Sequence, residues 1–286
     1  MANRCHVRSI SLPSRSHPTT IRIEEELSKL KPLEASSAST LSSLCFDLSG
    51  VDGLYHCVND LLHLASTQQV LSRHQSQKCL NQLIDWSVRL IDACSITRDA
   101  MLQFKEQVQA LQSALRRRKG DLSIQENIDD YSCFRKKMRK EANKLIAELK
   151  QMDNKLGALQ LPNQDQHLSA LIRVLREVNV KNSSVFQSFL LFLATPVSKP
   201  TQSRWSMVSK LMHKRTPACE ETQEIVNELQ SVDYALNEMS NVDNIQIARK
   251  KLQDLEISIE ELENCLERVF RHLIKTRASI LNIFSQ

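Results

Sequence analysis

The sequence predicts an all-α protein, and three observations carry that prediction. Glycine occurs 4 times in 286 residues, where ordinary usage of about 7 % would supply about 20. Proline occurs 7 times and is absent between Pro32 and Pro162, so nothing in that stretch forces a helix to break. Aromatic residues make up only 5 %, which is poor material for strands. With 41 % apolar and 25 % charged residues the chain can fold in water. The expected architecture is an elongated helical bundle of about seven helices with long coiled-coil-like members. It forms one unit over residues 39–286, with a linker near 196–203, behind an Arg/Ser-rich disordered tail at residues 1–38 that includes a short helix.

Residues 1–23 carry Arg4, Arg8, Arg15 and Arg22, several serines and no acid. Such a stretch buries too little apolar surface to order itself, so it reads as a flexible tail. Residues 24–31 (EEELSKLK) form a short helix stopped by Pro32. Leu41 to Leu48 give one or two helical turns, broken at Gly50 and Gly53. A second segment then runs to about Ala65, with Leu54, Val58 and Leu61 on one face.

From about Ser76 a long helix begins. Leu80, Leu83, Ser87, Leu90, Cys94, Thr97, Met101, Phe104, Val108, Leu111 and Leu115 step by three and four, a period of about 3.5. Arg116 to Lys119 and then Gly120 end it with cations on the last turn and a glycine stop. Asp121 to Asp130 reads as a loop. The next helix runs to Leu159, with Leu145, Leu149, Met152 and Leu156 on its stripe, and Pro162 closes it.

Two apolar segments follow, about 165–178 and 183–194, separated by the polar stretch 179–184. Pro196 and Pro200 bracket a linker into a short basic amphipathic helix, Ser203 to Arg215. After Pro217, Ile225, Leu229, Val232, Leu236 and Met239 step by four and three. The terminal helix is the clearest element. Its a positions are Ile245, Leu252, Ile259, Leu266, Leu273 and Ile280, and its d positions are Ala248, Leu255, Leu262, Val269, Thr276 and Ile283. Phe270 and Phe284 at e widen the stripe beyond a narrow two-stranded seam. The g positions Ser258, Cys265, His272 and Ser279 offer few interchain ion pairs. A monomeric bundle is therefore expected, with a homodimer as the alternative.

The net charge of +5 conceals a block structure. Residues 218–267 hold 13 acidic and 3 basic side chains, so the remainder is strongly basic. Blocks of opposite sign can pack on each other within one chain. Eight cysteines without a CxxC pair, and no apolar leader after Met1, read as reduced core thiols in a cytoplasmic setting. The longest apolar run, Val185 to Ala194, is about half of what a membrane-spanning helix needs.

No enzyme is expected. Phosphate-cradling glycine loops are excluded by the glycine spacing, and no G-x-S-x-G elbow occurs. No catalytic residue and no cofactor are assigned. His56, Asp60 and His63 share one helix face, but no fourth ligand accompanies them, so they read as a polar outer face and no metal site is assigned.

Two segments point to partners instead. Arg135, Lys136, Lys137, Arg139 and Lys140, followed by Lys144, form a basic face. It reads first as a solvated surface docked on the acidic 218–267 segment, and second as a contact for an anionic membrane surface. Nucleic acid is not expected, because no aromatic residues interleave the cations. In the tail, Arg8-Ser9-Ile10-Ser11-Leu12-Pro13 has the R-S-x-S-x-P form that 14-3-3 proteins read once the second serine is phosphorylated. The same Arg- and Ser-rich, acid-poor tail also has transit-peptide composition, which would place the protein in the plastid.

The tail run His6 to Pro18, the run Leu83 to Asp99 (LIDWSVRLIDACSITRD), Leu111 to Arg118 (LQSALRRR), Trp205 to Arg215 and the closing heptads together resemble a plant-specific family. Its members are helical proteins of unknown biochemical function related to the BYPASS-type regulators. Ile84-Asp85-Trp86 departs from the plainer Leu-Asp pairing usual there. The resemblance covers nearly the whole chain. It implies a role in root and shoot development, through control of a mobile signal, and it implies no reaction or catalytic residue.

Overall fold

Apolar side chains spaced at three and four along the two longest helices face each other, and that contact organises the protein. The computed structural model describes residues 18–30, 40–74, 78–117, 121–158, 166–196, 227–239 and 242–285. Among them are eight helices and no strand: α1 (Pro18–Lys29), α2 (Leu41–Leu62), α3 (Ala65–Arg73), α4 (Lys78–Arg117), α5 (Asp121–Gly157), α6 (Gln166–Leu193), α7 (Glu228–Asn237) and α8 (Val242–Phe284). The all-α prediction holds for these residues. No helix among them is long and apolar enough to cross a membrane.

Helix α8 lies between α2 and α4, α5 packs on α4, α6 packs on α5, and α7 rests on α8. The interior is one continuous cluster that draws on all eight helices. Along α4 every seam position from Leu80 to Leu115 is buried except Ser87. Ser87 has its own partner there: Arg277 of α8 donates from Nη1 to Ser87 Oγ at 3.1 Å and to the Ile84 carbonyl at 2.8 Å. Thr97, the other polar seam residue, satisfies its hydroxyl on the Ala93 carbonyl at 2.7 Å. On α8 the a and d residues from Ala248 to Thr276 are buried, and Ile283 with them.

Caps fix the ends of the shorter helices. Thr40 and Ser43 form a reciprocal capping box at the start of α2, and Asn227 and Gln230 do the same for α7. Glu228 of α7 also accepts the Leu41 amide at 3.1 Å, placing a carboxylate at the N-terminus of α2, where the helix dipole favours it.

Four sequence expectations are corrected. Gly50 and Gly53 do not break α2, which runs through both. Gly50 gives Leu30, at the end of α1, room to approach: a Cβ there would stand 2.6 Å from Leu30 Cδ2, whereas one at Gly53 would make only ordinary contact, 3.5 Å from Glu26 Oε2. A helical glycine costs about 1 kcal/mol relative to alanine, and here that cost is offset by the burial of Ile23 and Leu30. Residues 18–23 belong to α1 rather than to a flexible tail. Pro18 opens the helix at a position where its missing N–H is harmless.

Residues 121–130 are the first turns of α5, not a loop, with Ile124 and Ile128 packed against the core. The polar stretch 179–184 is no break between helices but lies inside a single one, α6. Its polar groups are met from neighbouring helices. Asn182 donates to the Tyr55 hydroxyl at 2.8 Å, Lys181 to the Leu30 carbonyl at 3.0 Å, and Ser183 to Asp153 Oδ2 at 2.8 Å.

Asp153 also accepts from Gln187 at 2.7 Å. Burial nonetheless raises its carboxyl above the usual aspartate value, against the opposing pull of those two hydrogen bonds. A raised folded-state pKa means the folded protein holds this proton more tightly than the unfolded chain. The resulting stability is present at low pH and lost as pH rises through the folded value. Asp153→Asn is therefore expected to be more stable than the wild type at pH 7. The difference should vanish in urea titrations below the ordinary aspartate pKa of about 3.9. A variant less stable than the wild type at pH 7 would overturn this.

Candidate functional site

Helix α5 carries the basic run, and its register decides which cations are available. Tyr131, Arg135, Met138, Ala142, Ile146, Leu149 and Leu156 are buried and share the inward stripe. Arg135 is thus a core residue, which corrects its place on the basic face. The register was readable, since Arg135 lies two heptads before Leu149 and three before Leu156. Its composition hid it, because a guanidinium among five cations reads as surface.

A buried arginine needs partners for its charge and its five donors. Arg135 Nη2 lies 3.2 Å from Asp233 Oδ2, and both side chains are almost wholly enclosed, at 0 % and 2 % exposure. It donates to the carbonyls of Leu193 and Thr195 at 3.3 Å each, while Tyr131 donates its hydroxyl to Asp233 Oδ1 at 3.0 Å. This group joins α5, the C-terminus of α6 and α7. Burial, and then the neighbouring Asp233, push the Tyr131 phenol well above its usual pKa and keep it a donor.

Lys136, Lys137, Arg139 and Lys140 are all exposed on the opposite side of α5. Among the described residues none of the four is in an ion pair, whereas Lys144 reaches Glu148 at 3.8 Å. Like charges three and four residues apart destabilise a helix by a few tenths of a kcal/mol per pair, so the ridge is held together by the packing on its other side.

The acidic 218–267 segment is engaged elsewhere. Arg98 of α4 pairs with Glu267, and Lys105 pairs with Glu260 at 3.0 Å and Glu263 at 3.2 Å. The amides of Gln109 and Gln112 donate to Glu256. The expected docking of opposite blocks therefore occurs between α4 and α8. Of the basic run, only Arg135 meets the acidic segment among the described residues, through Asp233.

The shared face of His56, Asp60 and His63 does not act as a unit. Asp60 pairs with Arg22 of α1 at 3.2 Å, and His63 Nδ1 donates to the Asn59 carbonyl at 2.6 Å. His56 meets His272 of α8 instead, edge to face with ring centroids 4.5 Å apart. His272 Nε2 lies 3.1 Å from Asp52 Oδ1, and Arg268 Nε lies 3.4 Å from Asp52 Oδ2. The Asn59 amide stands 3.3 Å from His272 Nδ1. Burial lowers the His272 pKa, with His56 and Lys275 acting the same way and Asp52 opposing. Sequence reading missed this cluster because His272 arrives from the other end of the chain. Its one local signal was a histidine at a g position, beside the seam.

Two of the thiols are poor nucleophiles. Burial pushes Cys45 and Cys94 up to about 12, whereas a reactive cysteine needs a lowered value. Cys57, Cys79, Cys94 and Cys265 are buried as expected of core thiols, but Cys133 is exposed on α5. Between α4 and α5 a groove of about 520 Å³ is lined by Asp85, Arg89, Glu148, Lys155 and the buried Trp86. Arg8, Ser9, Ser11 and Pro13 lie outside the described residues, as does the basic helix expected at 203–215.

A family model described as Protein BPS1 matches residues 47–283. No curated protein and no solved structure matches the chain.

Proposed function

The chain belongs to the BPS1 family, and from that membership we propose that it acts in plant root and shoot development as a helical interaction protein rather than an enzyme, working in the cytoplasm. The observation that carries the interaction reading is the α5 ridge. Lys136, Lys137, Arg139 and Lys140 stand exposed, with no ion-pair partner among the described residues, on a helix anchored from behind by Arg135. The bundle supplies a rigid support. The tail supplies a regulated contact, in which phosphorylated Ser11, flanked by Arg8, Ser9 and Pro13, docks in the arginine-lined groove of a 14-3-3 protein.

Fluorescence anisotropy with purified 14-3-3 protein tests the tail. The full chain phosphorylated at Ser11 is expected to bind, and unphosphorylated chain and Ser11→Ala are expected not to. Equal binding by all three, or binding by none, would remove Ser11 from the proposal.

The ridge favours a second reading, contact with an anionic membrane surface. Each cation near such a surface contributes about 1 kcal/mol, screened by salt. Replacing Lys136, Lys137, Arg139 and Lys140 together by glutamine should then weaken co-sedimentation with phosphatidylserine-containing vesicles by about 100-fold or more. Arg135 is left intact in that variant because it belongs to the core. Binding that survives high salt, or that does not distinguish phosphatidylserine from phosphatidylcholine vesicles, would exclude the membrane reading.

A further inference from the structure

We propose that Asp52, His56 and His272 form a binding site for a divalent transition-metal ion of the zinc class, one that clips α2 to α8. Asp52 and His56 are one turn apart on α2 and so lie on the same side of that helix. His272 comes from α8, the helix packed along it. One ligating atom from each of the three lies within 4.8 Å of the other two. In a tetrahedral site with bonds of about 2.0–2.1 Å, ligand atoms stand about 3.3 Å apart. The edge from Asp52 Oδ1 to His272 Nε2 is already 3.1 Å. His56 is exposed, so its ring is free to turn the remaining distance. The fourth position falls to water or a small anion.

Two imidazole nitrogens and one carboxylate oxygen select the metal class. Magnesium and calcium prefer oxygen throughout, whereas zinc, cobalt, nickel and copper accept this mixed set. The surroundings supply what such sites use to orient their ligands. Arg268 holds Asp52 by Oδ2, which leaves Oδ1 for the ion. Asn59 is held by the Thr276 hydroxyl at 3.3 Å and faces His272 Nδ1 at 3.3 Å. When the ion takes Nε2, the single imidazole proton moves to Nδ1. A half-turn of the Asn59 amide then presents Oδ1 to that proton and Nδ2 to the Thr276 oxygen, so Asn59 keeps both contacts while the Thr276 hydroxyl changes from donor to acceptor.

The charges around the site set its pH dependence. Arg268 and Lys275 oppose a second cation, Asp52 favours it, and His56 and His272 must both be neutral to bind. Burial already disfavours the imidazolium form of His272. Affinity is expected to be nearly level above the histidine range and to fall as pH drops through it.

Cobalt(II) titration of the full chain tests the site, because the spectrum reports the ligands. One equivalent is expected to give visible d–d bands without a thiolate-to-cobalt charge-transfer band, and zinc should displace it. His56→Gln and His272→Gln should lose these bands. Asn59→Ala should weaken binding by about 10–100-fold, as loss of an outer orienting partner does. His63→Gln, about two turns along from His56 and outside the cluster, should bind like the wild type. His56 is exposed, so its variant keeps the fold, which circular dichroism checks. Absence of d–d bands in the wild type would overturn the site. So would a thiolate band, or binding unchanged in His56→Gln and His272→Gln, or an equal loss in His63→Gln.

Discussion

Arg135→Ala is expected to lower the unfolding free energy by about 3–5 kcal/mol, a large share of the roughly 5–15 kcal/mol that holds an ordinary domain together. The reason is the charge left behind. Asp233 is almost wholly enclosed and has Arg135 as its ion-pair partner. Without the guanidinium it keeps, among the described residues, only the Tyr131 hydroxyl, and the carbonyls of Leu193 and Thr195 lose the donors that served them. A buried pair is costly to break and far less costly to replace outright. Arg135→Met combined with Asp233→Leu and Tyr131→Phe should therefore recover most of the loss. Lys136→Ala, one residue away but exposed, should stay within about 0.5 kcal/mol of the wild type. Chemical denaturation of the three variants decides the matter. If Arg135→Ala and Lys136→Ala behaved alike, Arg135 would not be in the core.

Leu266→Ala should cost about 2–5 kcal/mol, the range for removing a buried leucine side chain into a site that cannot fully collapse. Leu266 is an a position of α8, fully buried between helices of its own chain. Ile257 is on the same helix and about as apolar but 52 % exposed, and Ile257→Ala should change stability by no more than about 0.5 kcal/mol. The pair separates seam from surface at nearly constant chemistry. Because α2 and α4 of the same chain fill the seam, the midpoint of both variants should be independent of protein concentration. A midpoint that rose with concentration would mean the seam is completed by a second copy.

The two long seams were legible because helical periodicity is a local property. A residue's face follows from its neighbours three and four positions away. That is why Leu80 to Leu115 and Ala248 to Ile283 were placed on their faces before any partner was known. Errors arose where local chemistry pointed one way and the neighbour in space pointed the other. Gly50 and Gly53 look like helix breakers, yet α2 runs through both, and at Gly50 Leu30 fills the space that a side chain would take. The stretch 179–184 looks like a connection until Tyr55 and Asp153 arrive to accept its polar groups. Nothing in the local sequence announces either neighbour.

The local sequence is therefore sufficient for the all-α class and for the position and inward face of α4 and α8. Hydrophobic period and the scarcity of glycine and proline are sufficient for those. Which charges are available and which are spent follows from how the helices pack. That packing placed Arg135 against Asp233 while leaving Lys136, Lys137, Arg139 and Lys140 in solvent, and it gave the acids of α8 to Arg98 and Lys105. It also brought His272 to Asp52 and His56 while turning Asp60 and His63 to other partners. The difference is one of range. Periodicity acts within a few residues, whereas the partner of a charge or a ligand is whatever side chain the packed helices set within a few ångströms, however far along the chain it lies.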